Sequence, residues 1–132
     1  MIKQTQLPSP AGLKEYILRF LEYLEIEKGR SQSTIKNYAI YLNRFARFAK
    51  VTSPFDISPT LVRDYRLYLS RYLDKFGRPL KRNSQNHHLI ALRSLLRYLI
   101  RSEDLEVLPV ETVELAKEEE REIKVLNSER SE

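Results

Sequence analysis

A chain of 132 residues, 42% apolar and 31% charged, can bury the core of one domain and leaves little for a second. It has no Cys, which excludes disulfides, thiolate zinc sites and a cysteine nucleophile, and its 3 Gly form no phosphate-cradling pattern. No apolar stretch nears the roughly 20 residues needed to span a bilayer. The opening MIKQTQLPSP lacks the apolar core of a signal peptide, so a cytoplasmic location without membrane contact is expected.

Charge is unevenly placed. Residues 1–102 carry 19 Lys and Arg against 7 Asp and Glu, whereas residues 103–132 carry 4 against 11. A basic body followed by an acidic end points to a polyanionic partner for the body, because each phosphate met by Lys or Arg releases condensed counterions.

Helical periodicity fills the body. Leu13, Ile17, Phe20, Leu21 and Leu24 recur three or four residues apart and predict a first helix that ends near Gly29, a residue suited to a C-terminal cap. Ser31 is placed to cap a second helix, whose apolar stripe is Ile35, Tyr38, Leu42, Phe45 and Ala49 and which ends before a loop from Val51 to Ile57. Ser58 followed by Pro59 starts a third helix, with Leu61, Tyr65, Leu69 and Tyr72 on its inner side, stopping at Phe76-Gly77-Arg78-Pro79. A fourth begins near Asn83 or Ser84, either of which could cap it, and carries Leu89, Leu92, Leu96 and Leu99. No segment alternates with period two, so the expected fold is all-α, a compact four-helix bundle.

The outward faces of two of these helices combine cations with hydrogen-bonding side chains. On the second, Thr34, Asn37, Tyr41 and Arg44 share a stripe by spacing, with Lys36 and Arg47 beside it. On the fourth, Lys81, Arg82, Asn83, Ser84, Asn86 and His87 crowd the first turn, and Arg93, Arg97 and Arg101 continue along outward positions. Such a mixture suits duplex DNA, where Arg and Lys meet phosphates and Asn reaches a base edge or a phosphate. His87 and His88 are adjacent on a helix and point about 100° apart, so they make a poor metal pair. No metal, no cofactor and no catalytic constellation is expected from the residues.

The stretch from Ile17 to Ala49, LRFLEYLEIEKGRSQSTIKNYAIYLNRFARF within it, holds Ser-x-x-Thr-x-x-x-Tyr and a Leu-x-x-Phe pair. It is followed by SPTLVRDYRLYL before Ser70 and by Leu89-x-Ala-Leu-Arg-Ser-x-x-Arg-Tyr-Leu in the fourth helix. In order and spacing these resemble the N-terminal core-binding, SAM-like domain of tyrosine recombinases, the phage-integrase and Xer-type family, over about residues 13–108. The resemblance implies that the second and fourth helices face the major groove, in one half of a C-shaped clamp around DNA. It implies further protomers of a tetrameric full-length recombinase as partners, joined partly through first-helix surfaces, with this chain alone a monomer. The family's catalytic groups lie in a C-terminal domain; this chain has no His-x-x-Arg, and Leu108-Pro109 stands where Asn-Pro is usual. The chain is therefore expected to be a non-catalytic portion of a longer recombinase. Residues 1–10 would be a tail, 11–108 the DNA-binding domain, and 109–132 a flexible acidic linker. A helical protein–protein module with no nucleic-acid role remains the alternative.

Overall fold

The computed structural model describes residues 12–116. Four helices, α1 (Leu13–Ile26), α2 (Gln32–Ala49), α3 (Pro59–Arg71) and α4 (Arg82–Arg101), are joined by short connections, with 3-10 turns at Pro54–Asp56 and Val110–Thr112. Among the described residues there is no sheet, only a single antiparallel bridge between Leu73 and Pro79. No described helix is long and apolar enough to cross a membrane.

The expected caps form. The Ser31 hydroxyl accepts the Thr34 N–H at 3.2 Å, and Ser58 accepts that of Leu61 at 3.1 Å with Pro59 opening α3. Gly29, at φ +62°, turns the chain after α1 so that the Arg30 N–H reaches the Leu24 carbonyl at 2.9 Å. Gly12 precedes α1 where the backbone of Thr52 passes close by. The Leu13 N–H donates to the Thr52 carbonyl at 2.8 Å, and a Cβ on Gly12 would lie 2.9 Å from that oxygen.

Two boundaries differ from the periodicity. α3 stops at Arg71, short of Phe76, because Asp74 gathers the chain into a turn. Its carboxylate accepts the N–H groups of Phe76 at 2.8 Å and Arg78 at 2.9 Å, and Gly77 adopts φ +78°. α4 starts at Arg82 with Lys81 at the cap position and no side-chain cap bond, so Asn83 and Ser84 lie inside the first turn instead of capping it.

α4 is the central element and packs against α1, α2, α3 and the second 3-10 turn. Leu92, Leu95, Leu96 and Leu99 have no exposed surface, and Leu89, Ala91 and Tyr98 are buried beside them. They meet Ile17 and Phe20 of α1, Leu42 and Phe45 of α2, and Tyr65 and Leu69 of α3 in one core. The packing also runs past Leu108, where the sequence suggested that a linker begins. After a left-handed turn at Asp104 the chain doubles back along α4, burying Val110 and Val113. At its far end the Asn86 side chain holds both backbone groups of Ala116. Its amide donates to the Ala116 carbonyl at 2.9 Å, and its oxygen accepts the Ala116 N–H at 2.7 Å. The remainder of the expected acidic linker, and the expected N-terminal tail, lie outside the described residues.

Replacing Asn86 strands two part-buried backbone groups, whereas Asn83 is exposed. Asn86→Ala should therefore lower the unfolding free energy in urea by about 1–3 kcal/mol, and Asn83→Ala should change it by no more than about 0.5 kcal/mol.

Candidate nucleic-acid interface

α2 and α4 meet along a shallow groove. Thr34, Asn37, Tyr38 and Tyr41 line it from α2, and His87 and Ile90 from α4, enclosing about 190 Å³. It continues into a second groove of about 240 Å³ that shares Thr34 and Tyr38 and adds Ser94, Arg97 and Arg101 of α4, with Lys28 and Arg30 from the α1–α2 connection. Among the described residues no carboxylate lines either groove, so the paired depressions carry one sign of charge. Low-dielectric walls of this kind concentrate the field of the cations at their rim.

Arg44, three residues after Tyr41 on α2, is held from two sides. Its guanidinium lies 4.5 Å from the centre of the Tyr72 ring, and its Nη1 stands 3.4 Å from Nε2 of the buried His88, a long hydrogen bond. The other ring nitrogen of His88, Nδ1, is 2.8 Å from the Ser84 carbonyl. A carbonyl only accepts, so Nδ1 carries the proton and Nε2 is left as an acceptor facing Arg44. Tyr41 packs 4.4 Å from the His88 ring, centre to centre. Burial, with Arg44 and His87 nearby, pushes the His88 pKa below its ordinary 6.5, against the opposing hydrogen bond to Ser84. Behind this pair Tyr65 is fully buried among Phe45, Phe48 and Tyr68, its hydroxyl without a hydrogen-bond partner and its pKa raised by burial.

Thr34, Asn37, Tyr41, Arg44 and His87 are thus brought together. Lys36 and Arg47 are not part of that group: with Ile40 and Asn43 they form an exposed stripe further round α2. Lys81, Asn83 and Ser84 lie at the start of α4 near His87, Ser84 only partly exposed and its carbonyl engaged by His88. Arg82 faces the opposite side of α4, where it lines a groove of about 640 Å³ with Arg63 and Arg66 of α3. Asn86 departs most from its sequence-based reading. It is buried against Ala116 and belongs to the packing of the chain's return along α4, which keeps its amide from the exposed face. Arg93 is half-buried with its Nε enclosed, so of the three outward arginines only Arg97 and Arg101 are exposed.

Sequence reasoning overlooked Lys28, Arg30, Tyr72 and the role of His88. Lys28 and Arg30 flank a glycine turn, where no helical stripe selects them, and only the chain reversal carries them to the groove. Tyr72 follows the spacing of a core residue, yet it ends α3 half-buried under Arg44.

Residues 17–103 match the family described as "Phage integrase, N-terminal SAM-like domain". The chain belongs to this family. It is similar to a tyrosine recombinase XerC of Bacillus subtilis (strain 168), 33% identical over 110 residues, which is 83% of this chain and 35% of that protein. It is likewise similar to a tyrosine recombinase XerC of Leptospira interrogans, 36% identical over 99 residues, covering 74% of this chain and 30% of the relative. A third, from Pelobacter propionicus, is 34% identical over 109 residues, covering 83% and 35%. The chain thus spans about a third of the length of these curated relatives. No solved structure matches it. The four-helix architecture is that of the SAM-like domain, and the two-helix groove lies on it.

The depressed pKa of His88 ties the stability of this SAM-like domain to pH. A histidine held neutral in the fold contributes stability that is complete above the unfolded value of 6.5 and is lost as pH falls through the lower folded value. Urea midpoints of the unsubstituted chain should therefore fall between pH 7.5 and 5, and His88→Leu should flatten that dependence.

Proposed function

We propose that this domain binds duplex DNA as the DNA-holding part of a tyrosine recombinase, forming one half of a clamp around a recombination half-site. The observation that carries the reading is the pair of continuous grooves between α2 and α4. Lys28, Arg30, Arg97 and Arg101 stand along them, and no described carboxylate interrupts them. Thr34 and Asn37 supply uncharged hydrogen-bonding groups between the cations, the combination that lets phosphate contacts set the register while a polar side chain reaches a base edge. The relatives named tyrosine recombinase agree with this use of the domain. In this reading strand breakage and rejoining belong to the part of a recombinase that this chain does not cover, and the domain contributes position and affinity.

The outer face of α1 favours a second kind of contact within the same assembly. Leu18 and Ile26 are 58% and 74% exposed and share a stripe with Glu22. Apolar side chains on an otherwise charged helix suit a neighbouring protomer, and we assign that face to protein contacts between protomers lined up on DNA.

Binding of a labelled short duplex, followed by fluorescence anisotropy, tests the DNA reading. With about four to six phosphates neutralised, log affinity should fall against log salt with a slope near −4 to −5. Arg97→Ala should weaken binding and make the slope shallower by about 0.9. Arg71→Ala, at the exposed end of α3, should leave both unchanged. Equal losses from the two variants would reject the α2–α4 face, and affinity insensitive to salt would favour a protein-binding module.

A further inference from the structure

Arg44 is unusual among the cations of the DNA face in being half-buried and held by two aromatic side chains. The guanidinium offers five N–H donors, of which His88 takes one. Stacking on Tyr72 and bonding to His88 together fix its plane, and an arginine already fixed loses less conformational freedom when it meets a phosphate. The acceptor on His88 exists only in the neutral ring, in the tautomer that donates from Nδ1 to the Ser84 carbonyl. A second proton, taken from solvent onto Nε2, removes the acceptor and sets two cations face to face at the same spacing.

We propose that His88 is the positioning residue for Arg44, and that its protonation releases Arg44 and weakens duplex binding. The proposal rests on the DNA reading given above. The groups facing the pair are Arg44 and Tyr41 from α2, Tyr65 of α3 behind Arg44, Tyr72 at the end of α3, and His87 on α4. Among the described residues no carboxylate pairs with Arg44 or His88 to absorb the added charge. The predicted sign is opposite to the ordinary one. Adding a positive charge to a DNA-binding surface ordinarily strengthens binding; adding it at His88 weakens binding.

The test uses the His87→Asn chain, in which His88 is the one remaining histidine, and measures affinity for a short duplex from pH 7.5 to 5.5 while circular dichroism reports folding. Affinity should fall about three- to tenfold on acidification, with a salt slope shallower by about 0.9, as for the loss of one phosphate contact. In the same background Arg44→Ala should be weak at both pH values. His88→Gln, whose amide oxygen still accepts from Arg44, should keep the affinity of pH 7.5 across the range. Nitrogen-15 spectra of the imidazole supply a readout that does not depend on those variants folding: the proton should sit on Nδ1 at pH 7.5, and the Arg44 side-chain signals should shift as His88 titrates. Affinity that rises or stays level while the nitrogen-15 signals show His88 gaining its second proton, or a His88 that stays neutral until the fold is lost, would overturn the proposal; where Arg44→Ala still weakens binding, the DNA reading stays intact. A His88 proton on Nε2 at pH 7.5 would overturn it equally. No duplex binding by the unsubstituted chain at low salt is a different failure, one that removes the DNA reading and this proposal with it.

Discussion

Leu92, Leu95, Leu96 and Leu99 are completely enclosed, and the burial of α4 on almost every side is the constraint from which the rest of the molecule follows. Three helices and the returning C-terminal segment take up most of its surface, leaving open a strip that includes Asn83, His87, Ile90, Arg97 and Arg101. A helix clasped in this way cannot rotate without moving a close-packed core. Its exposed strip is therefore held in a fixed relation to the face of α2 beside it. That relation is a property of the apolar interior, although the groups it displays are polar.

Charge is sorted by the same packing. Glu103, just after α4, accepts the Tyr98 hydroxyl at 2.6 Å and pairs with Arg19 of α1 at 3.2 Å. Arg19 also meets Glu15, 3.3 Å away. These exposed pairs contribute little stability by themselves. Their consequence is spatial, since Arg19 is neutralised by its neighbours while the cations along the α2–α4 grooves have no described carboxylate lining the site with them. Arg44 occupies an intermediate position, half inside the protein and stacked on Tyr72. Its environment favours a neutral His88, so the interior and the outer face meet at a single titratable ring.

Much of this was legible in the sequence, for reasons that can be traced. Apolar spacing gave the four helices and most of the core, and the hydroxyls of Ser31 and Ser58 marked two starts because capping is a local interaction. The stripe Thr34, Asn37, Tyr41 and Arg44 was readable for the same reason, helical geometry being independent of what lies opposite. Local rules fail where a distant or competing group intervenes. Asp74 collects N–H groups ahead of it and ends α3 early, and Asn86, polar and four residues into α4, finds its partner thirty residues later at Ala116. Lys28 and Arg30 become neighbours of Arg97 only through a chain reversal, and His88 gains its importance from Arg44 on another helix. These are tertiary facts with no signature in periodicity.

If duplex DNA is held on the α2–α4 face, that face alone should respond to it. Amide chemical-shift mapping of the chain with a short duplex at rising salt tests it most directly. Shifts should concentrate around Thr34, Asn37, Tyr41, Arg44, His87 and Arg97 and fade steeply as salt is raised. Shifts centred on the outer face of α1 around Leu18 and Ile26, or on the α3–α4 groove around Arg63 and Arg66, would contradict it.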